Sequence, residues 1–150
     1  MKCPFLAVLP QYPLLGKTYF TADSDLLEKA HCAAAEFLAR NPEFFNAKTL
    51  ARFAIKEPKV YRGGIASGDK FVGHPLAVEQ LLKDVPETVA VEMEGAAVAQ
   101  ICFEHSIPCV IIRTISDKAN HSAPIDFQRF VNEISAHYSR EIIKELYGKL

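Results

Sequence analysis

The chain has 150 residues, of which 49% are hydrophobic and 23% charged, a balance typical of one folded domain. Seventeen Lys and Arg against eighteen Asp and Glu give a formal net charge of −1, so the basic surface of a nucleic-acid-binding protein is not expected. Seven Gly and nine Pro are too few for a fibrous chain. The composition predicts a single domain over residues 1–150 that recognises a partner at a localised site.

The spacing of the cysteines and the hydropathy pattern indicate the cellular compartment in which the protein is expected. The four cysteines lie at positions 3, 32, 102 and 109 and form no Cys-x-x-Cys pair, which favours reduced thiols over a disulfide framework. No apolar run approaches the roughly 18 residues that a membrane helix needs, and the N-terminus lacks a signal-peptide pattern. We therefore expect a cytoplasmic protein with no membrane partner and no nucleic-acid partner.

The first forty residues predict an irregular segment followed by a helix. Residues 1–22 carry three prolines and are expected to be irregular, because proline is excluded from the interior of helices and central strands. Asp23 or Ser24 can cap a helix that runs to about Arg40. Its buried stripe is predicted to comprise Leu26, Leu27, Ala30, Ala34, Phe37 and Leu38.

Apolar strands alternate with helical patterns in the rest of the chain. Strands are predicted at residues 59–67, 88–92 and 108–115, the first with an irregularity at its Gly-Gly pair. Helices are predicted at residues 75–83, 94–105 and 126–147. This order is typical of an α/β domain with a parallel sheet, in which right-handed crossovers bring the carboxyl ends of the strands to one ligand-binding edge. The third strand is almost wholly apolar, which predicts cover on both faces.

Acidic residues follow all three predicted strands. Asp69, Glu94 and Asp117 come after the first, second and third strand, so we expect them at one edge of the sheet. An acid at the start of a helix commonly caps it or complements the helix dipole, and that structural interpretation remains open for each residue. The convergence of three carboxylates favours a ligand site.

A second group of candidates lies beside these acids. Arg113 falls in the most apolar strand and needs a carboxylate partner, for which Glu92 and Glu94 are the candidates. A structural ion pair and an anion-binding role both remain open. Phe71 and Val72 can offer an aromatic face and backbone amides to a planar heterocycle, or can belong to the core.

Several familiar catalytic and cofactor motifs are missing from the sequence. The five histidines have no ligand spacing to one another or to a cysteine, so no metal site is predicted. The glycine-rich dinucleotide motif, the P-loop and the nucleophile elbow are also absent. We therefore expect neither a metal nor a cofactor.

Three ordered motifs carry a specific resemblance to a known family. IASGDKFV at residues 65–72, VAVEMEGAAVAQ at 89–100 and VIIRTISD at 110–117 resemble successive motifs of the 5′-methylthioadenosine/S-adenosylhomocysteine nucleosidases. The likeness covers residues 59–147, and residues 1–22 resemble the family's Pro-rich loop more loosely. It implies a three-layer α/β/α sandwich of the nucleoside phosphorylase type, here without its N-terminal strands.

The resemblance also implies roles for individual residues. Asp117 matches the general acid at purine N7, and Ser116 the residue that helps orient it. Glu94 matches the carboxylate that holds the ribose hydroxyls, and Met93 the side chain that packs against the sugar.

The remaining matches concern the base and the region near the attacking water. Phe71 matches the ring stacked on adenine, and Val72 the residue whose backbone binds the base edge. Arg113 matches an arginine near the water and the ribose.

The implied reaction is hydrolysis of the N-glycosidic bond of a purine nucleoside, releasing adenine, in methionine salvage. Cleavage builds positive charge on ribose and negative charge on the purine, which suits a carboxylate at the sugar and a proton donor at N7. The family's water-activating glutamate has no match, so the chain alone is expected to be weakly active or inactive. A homodimer, or an association with a missing N-terminal half, is expected. Phosphorolysis and non-catalytic nucleoside binding or storage remain alternatives.

Overall fold

The computed structural model describes residues 4–7, 17–40, 47–53, 55–116 and 129–150. Four strands form one sheet in the order β2-β1-β3-β4: Pro4–Ala7 (β1), Tyr19–Thr21 (β2), Gly64–Ser67 (β3) and Thr88–Glu92 (β4). The strands β1, β3 and β4 are parallel, while β2 runs antiparallel to β1. Ser67 pairs with Glu92, so β3 and β4 end side by side at the carboxyl edge of the sheet.

The helices lie close to their predicted positions. They are Ser24–Ala39 (α1), Ala47–Arg52 (α2), Pro75–Asp84 (α3), Gly95–Glu104 (α4) and Ala136–Tyr147 (α5), with a π-helical turn at Val131–Ser135 directly before α5. Asp23 caps α1 by accepting a hydrogen bond from the Leu26 amide at 2.9 Å. The short helix α2 was not predicted, and residues 126–128 of the last predicted helix lie outside the described residues. None of the described helices is long and apolar enough to cross a membrane.

The main core lies between α1 and the C-terminal helical segment. Phe37 of α1 is fully buried, and its ring meets that of Tyr138 edge-on with centroids 5.1 Å apart. Ile134, almost completely buried, belongs to the same cluster, as do Ala34 and Ile142. The predicted apolar stripe of α1 therefore faces the apolar side of the C-terminal helical segment, because each would otherwise leave its side chains in water.

The prediction for residues 1–22 was wrong in part. These residues contain β1 and β2, which pair as an antiparallel ladder in the register Pro4 with Thr21 and Phe5 with Phe20. Pro4 is compatible with β1 because it is the first residue of the strand, a position where the missing amide hydrogen is tolerated. Proline content alone therefore gave too strong a prediction of irregular structure.

The first and the third of the predicted strands also differ from the structure. The first is shorter than predicted: β3 begins at Gly64, and its register with β4 shifts between Gly64 and Ile65, at the expected Gly-Gly irregularity. Residues 108–115 form no strand. The Cys109 carbonyl accepts a hydrogen bond from the Asp23 amide at 2.9 Å, but no described strand pairs with this segment. An apolar sequence favours a strand, but only a neighbouring strand can complete the ladder.

Candidate functional site

The end of β4 carries a carboxylate that binds several donors at once. Glu92 accepts hydrogen bonds from the Ser67 hydroxyl and from the Arg113 guanidinium. It also accepts from the backbone amides of Gly95, at 2.7 and 2.9 Å, and of Glu94, at 3.2 Å. Its side chain is only 9% exposed. A carboxylate held this way has a fixed position and orientation, so Glu92 is the structural centre of the cluster.

The same contacts occupy the N-terminus of α4. Ser67 donates to Glu92 and accepts from the Ala96 amide at 2.9 Å, while Glu92 takes the amides of Glu94 and Gly95. A Cβ atom at Gly95 would lie 2.9 Å from a Glu92 oxygen, so glycine makes room for this carboxylate. The amides that could bind an anion at a helix start are therefore already satisfied within the chain.

Arg113 joins the buried acid to an exposed one. Its Nη2 atom donates to Glu92 and lies 3.3 Å from Oε2 of Glu94, which confirms the expectation that a carboxylate pairs with this arginine. Glu94 precedes α4 but makes no side-chain capping bond, and its side chain is 70% exposed. One positive and two negative groups leave this cluster with a net charge of −1. The arrangement presents a solvent-accessible carboxylate 3.3 Å from a guanidinium that is also bound to Glu92.

The other predicted contact residues follow the ends of β3 and β4. Phe71 is 65% exposed, and its ring lies over Gly73, where a Cβ atom would come within 2.7 Å of Cε1. Val72 is half-buried, and Met93 is about half exposed. Because β3 and β4 are parallel neighbours, these residues lie at the same edge of the sheet as Glu94. Their predicted roles stay predictions.

Ser116 and Asp117 lie at the boundary of the described residues. Ser116 is half-buried, and Asp117, the predicted general acid, lies outside the described residues. Just before them, the hydroxyls of Thr114 and Ser135 share a hydrogen bond of 2.7 Å, which ties this segment to the π-helical turn. The structure therefore fixes the chain as far as Ser116 and leaves the role of Asp117 a prediction.

Sequence reasoning missed Ser67 as a site residue and gave Glu92 only as one of two partners for Arg113. The sequence contained a capping signal only for Glu94, which is the N-cap of α4. Glu92 lies two residues earlier and reaches the amides of Glu94 and Gly95, and the Ser67 hydroxyl, through the pairing of β3 with β4.

Two thiols lie together near the end of α4, that of Cys102 in the helix and that of Cys109 after it. Burial and, to a smaller extent, a hydrogen bond with Cys102 together raise the pKa of Cys109 to about 11. Cys102 and Cys109 are free cysteines. Among the residues that the structure describes, no three His, Cys, Asp or Glu side chains are grouped to hold a metal ion.

Comparison with known proteins gives consistent matches. The family model described as the phosphorylase superfamily matches residues 7–147. A 5′-methylthioadenosine/S-adenosylhomocysteine nucleosidase of Shewanella baltica is 41% identical over 83 residues, which are 55% of this chain and 35% of that protein.

Solved structures show the same likeness. The Neisseria meningitidis 5′-methylthioadenosine/S-adenosylhomocysteine nucleosidase in complex with methylthio-immucillin-A is 34% identical with a TM-score of 0.72, over 95% of this chain and 52% of that one. The futalosine hydrolase of Helicobacter pylori is 28% identical with a TM-score of 0.68, over 95% of this chain and 50% of that one.

These matches confirm the predicted resemblance and the nucleoside phosphorylase type of fold. The chain spans about a third of the length of the Shewanella relative and about half of each solved structure. The expectation that N-terminal strands of this fold are missing stays a prediction.

Proposed function

Because the chain belongs to the phosphorylase superfamily, we propose that it carries the nucleoside-binding edge of an N-ribosyl hydrolase acting on 5′-methylthioadenosine and S-adenosylhomocysteine. The observation that supports this most strongly is the exposed Glu94 held beside Arg113, which is itself bound to the buried Glu92. The names of the Shewanella and Neisseria relatives support the same substrate class.

In the proposed reaction, the carboxylate of Glu94 acts on the sugar. It accepts hydrogen bonds from the ribose hydroxyls and stabilises the positive charge that develops as the bond to the purine breaks. Arg113 limits the movement of Glu94, while Glu92 fixes Arg113 from the protein side. A charged group that is already oriented needs little reorganisation at the moment of reaction. The contacts of Glu92 with Arg113, and of Arg113 with Glu94, therefore favour stabilisation of the transition state.

The purine leaves with a proton from Asp117, which Ser116 orients. The exposed ring of Phe71 stacks on the adenine, the backbone of Val72 binds the base edge, and Met93 packs against the sugar. The exposure of Phe71 and Met93 is consistent with this proposal, because apolar side chains that await a ligand remain in contact with water.

Phosphorolysis is the second candidate, and the charge of the cluster argues against it. A phosphate dianion needs cationic groups or free amides. Here Arg113 is paired with two carboxylates, and the first amides at the start of α4 are bound by Glu92 and Ser67. A non-catalytic nucleoside-binding or storage protein is the remaining alternative.

The setting of the reaction is part of the same proposal. We place residues 1–150 in one partial nucleosidase-like domain, in the cytoplasm, acting in methionine salvage, as a homodimer or together with the remainder of the family fold. Futalosine is a comparison substrate, since one similar structure is a futalosine hydrolase.

Calorimetric binding of methylthioadenosine, together with chromatographic assay of adenine release, tests the proposal. We expect Glu94→Gln to weaken binding about tenfold to a hundredfold, since a hydrogen bond to a charged group contributes about 1.5–3 kcal/mol. Glu104→Gln, an exposed change at the far end of α4, is the matched control and should leave the affinity unchanged.

Adenine release is measured first on the chain alone. It is then measured on the chain mixed with the complementary half, which is the part of the Neisseria relative that this chain does not match. Release without phosphate, slowed about a hundredfold to ten-thousandfold by Asp117→Asn, is the expected result. Phosphate-dependent release would assign a phosphorylase, and binding without release from the mixture would assign a non-catalytic protein. Absence of both binding and release would refute the proposal.

A further inference from the structure

The loop between β3 and α3 is anchored at both of its ends. It begins after Gly68, whose amide donates a hydrogen bond to the Glu92 carbonyl at 3.2 Å and so continues the pairing of β3 with β4. It ends at His74, the N-cap of α3, whose imidazole Nδ1 accepts a hydrogen bond from the Leu76 amide at 3.2 Å. Residues 69–73 therefore cross from the sheet to α3 between two fixed points.

Within this loop, Gly73 contacts one side of the Phe71 ring. A Cβ atom at Gly73 would lie 2.7 Å from Cε1, 3.1 Å from Cδ1 and 3.8 Å from Cζ of the ring. These three atoms are consecutive in the ring, so the backbone of Gly73 limits how far that side of the ring can turn towards the loop. Phe71 is nevertheless 65% exposed, so much of the ring remains open to a planar ligand.

The backbone of Gly73 does not itself require glycine. Its φ lies outside the left-handed region, so an L side chain could be accommodated there without backbone strain. Apart from atoms of the two adjoining residues, the three atoms nearest to an added Cβ all belong to Phe71. A methyl group would displace the ring by about 0.8 Å, because carbon atoms pack best from about 3.5 Å. The close approach of the ring is therefore the feature that glycine permits at this position.

We propose that Gly73 is a positioning residue, which sets the orientation of the Phe71 ring for stacking on a purine base. The inference rests on the proposed nucleoside site, and it concerns the base and not the sugar. Stacking depends on the relative tilt and offset of the two ring systems. A displacement of about 1 Å at a positioned group can be costly, so even a methyl group at position 73 should weaken recognition of the base.

Nuclear Overhauser effects between the Phe71 ring protons and the Gly73 α protons test the contact itself. We expect them in the 150-residue chain without any ligand.

Gly73→Ala tests the role of the contact, and Gly148→Ala is the matched control. Gly148 has a φ of −68°, and an added Cβ would lie 3.5 Å from its nearest neighbour, the Glu145 carbonyl oxygen, so a methyl group fits there. Neither alanine should lower the thermal midpoint, because alanine at a compatible backbone position reduces the entropy of the unfolded chain. Circular dichroism of each variant checks this.

Titrations with free adenine and with methylthioadenosine, followed by NMR, measure the effect on binding. Phe71→Ala should weaken both ligands about fivefold to a hundredfold, which is the usual contribution of a base stacked on an aromatic ring. Gly73→Ala should weaken both about threefold to tenfold, since the geometry of an aromatic contact contributes about that much. Gly148→Ala should change neither affinity by more than about twofold.

A double-mutant cycle separates positioning of the ring from a general structural role. In a chain that already carries Phe71→Ala, the further change Gly73→Ala should alter the affinities by less than about twofold, because the ring that the methyl group would displace is gone. A loss of affinity that arose from a disturbed loop would persist in that background.

Each other outcome overturns the inference. These outcomes are absent Overhauser effects, an unchanged affinity in Gly73→Ala, an equal loss of affinity with and without the Phe71 ring, a lower thermal midpoint in Gly73→Ala, and no binding of either ligand.

Glu94→Gln in the same titrations reports separately on the proposed function. It should weaken methylthioadenosine but not adenine, because free adenine has no ribose hydroxyls. If adenine binding depends on Gly73 and Phe71 while Glu94→Gln leaves methylthioadenosine binding unchanged, the positioning role is supported and the proposed action of Glu94 on the sugar is contradicted.

Discussion

Replacing Glu92 by glutamine tests whether this buried carboxylate organises the site. Glutamine preserves the shape but removes the charge, and its amide nitrogen cannot accept the hydrogen bonds that one carboxylate oxygen accepts from Ser67, Gly95 or Arg113. A hydrogen bond to a charged group contributes about 1.5–3 kcal/mol and a neutral one about 1 kcal/mol. Since Arg113 is partly exposed, we expect the free energy of unfolding to fall by about 2–3 kcal/mol.

Urea unfolding followed by circular dichroism measures this loss. For a dependence of about 1–3 kcal/mol per molar urea, the midpoint should fall by about 0.7–3 M. Glu104→Gln is the control, because Glu104 is an exposed glutamate whose side chain, among the residues that the structure describes, accepts a hydrogen bond from Gln100 alone. It should change the free energy of unfolding by less than about 0.5 kcal/mol.

A double-mutant cycle separates the ion pair from the other contacts. Glu92→Gln and Arg113→Gln should be non-additive by about 1 kcal/mol or more, because the two side chains are in direct contact. If Glu92→Gln behaves like Glu104→Gln, or if the two changes at 92 and 113 simply add, Glu92 does not hold Arg113 and the reasoning about the site is wrong.

Asp23→Ala should lower the free energy of unfolding by about 1 kcal/mol, since the Leu26 amide loses its acceptor, while Asp23→Asn should retain most of the stability; equal thermal midpoints for the two variants would contradict the cap. At pH 8, a thiol reagent should modify exposed Cys32 well before Cys109, because burial and the hydrogen bond with Cys102 keep Cys109 protonated. Because the Cys109 pKa is raised on folding, its contribution to stability is present below about pH 9 and lost towards pH 11. Between about pH 9 and pH 11, the free energy of unfolding of Cys109→Ser should therefore fall less than that of the parent chain. The same pH dependence in both proteins, together with rapid modification of Cys109, would contradict a buried and protonated thiol.

Local patterns predicted the helices and the β3–β4 edge because their causes are local. Asp23 caps α1, Pro75 stands in the first turn of α3, and period-four apolar spacing marks α1 and α5. These features depend on residues close together in the chain, where capping and periodicity are strong signals.

Features that depend on distant partners were predicted less well. The strand β1 owes its existence to pairing with β2 and β3, and residues 108–115 lack a strand neighbour despite a sequence suited to one. In the site, Arg113 could be assigned a carboxylate from charge alone. The choice of Glu92 as its buried partner depends on the β3–β4 register, which the sequence does not specify.

The π-helical turn before α5 has a consequence for the length of this segment. Five buried residues recur at every fourth position: Phe130, Ile134, Tyr138, Ile142 and Leu146. On an uninterrupted α-helix each such step passes a full turn by about 40°, so the stripe would drift by about 160° from end to end. The wider turn at Val131–Ser135 offsets part of that drift. Loss of one codon there would restore regular α-helix yet turn Phe130 by only about 30°, because three α-helical steps of about 100° replace four narrower π-helical steps, so natural single-residue deletions at this turn should leave the buried aromatic in place.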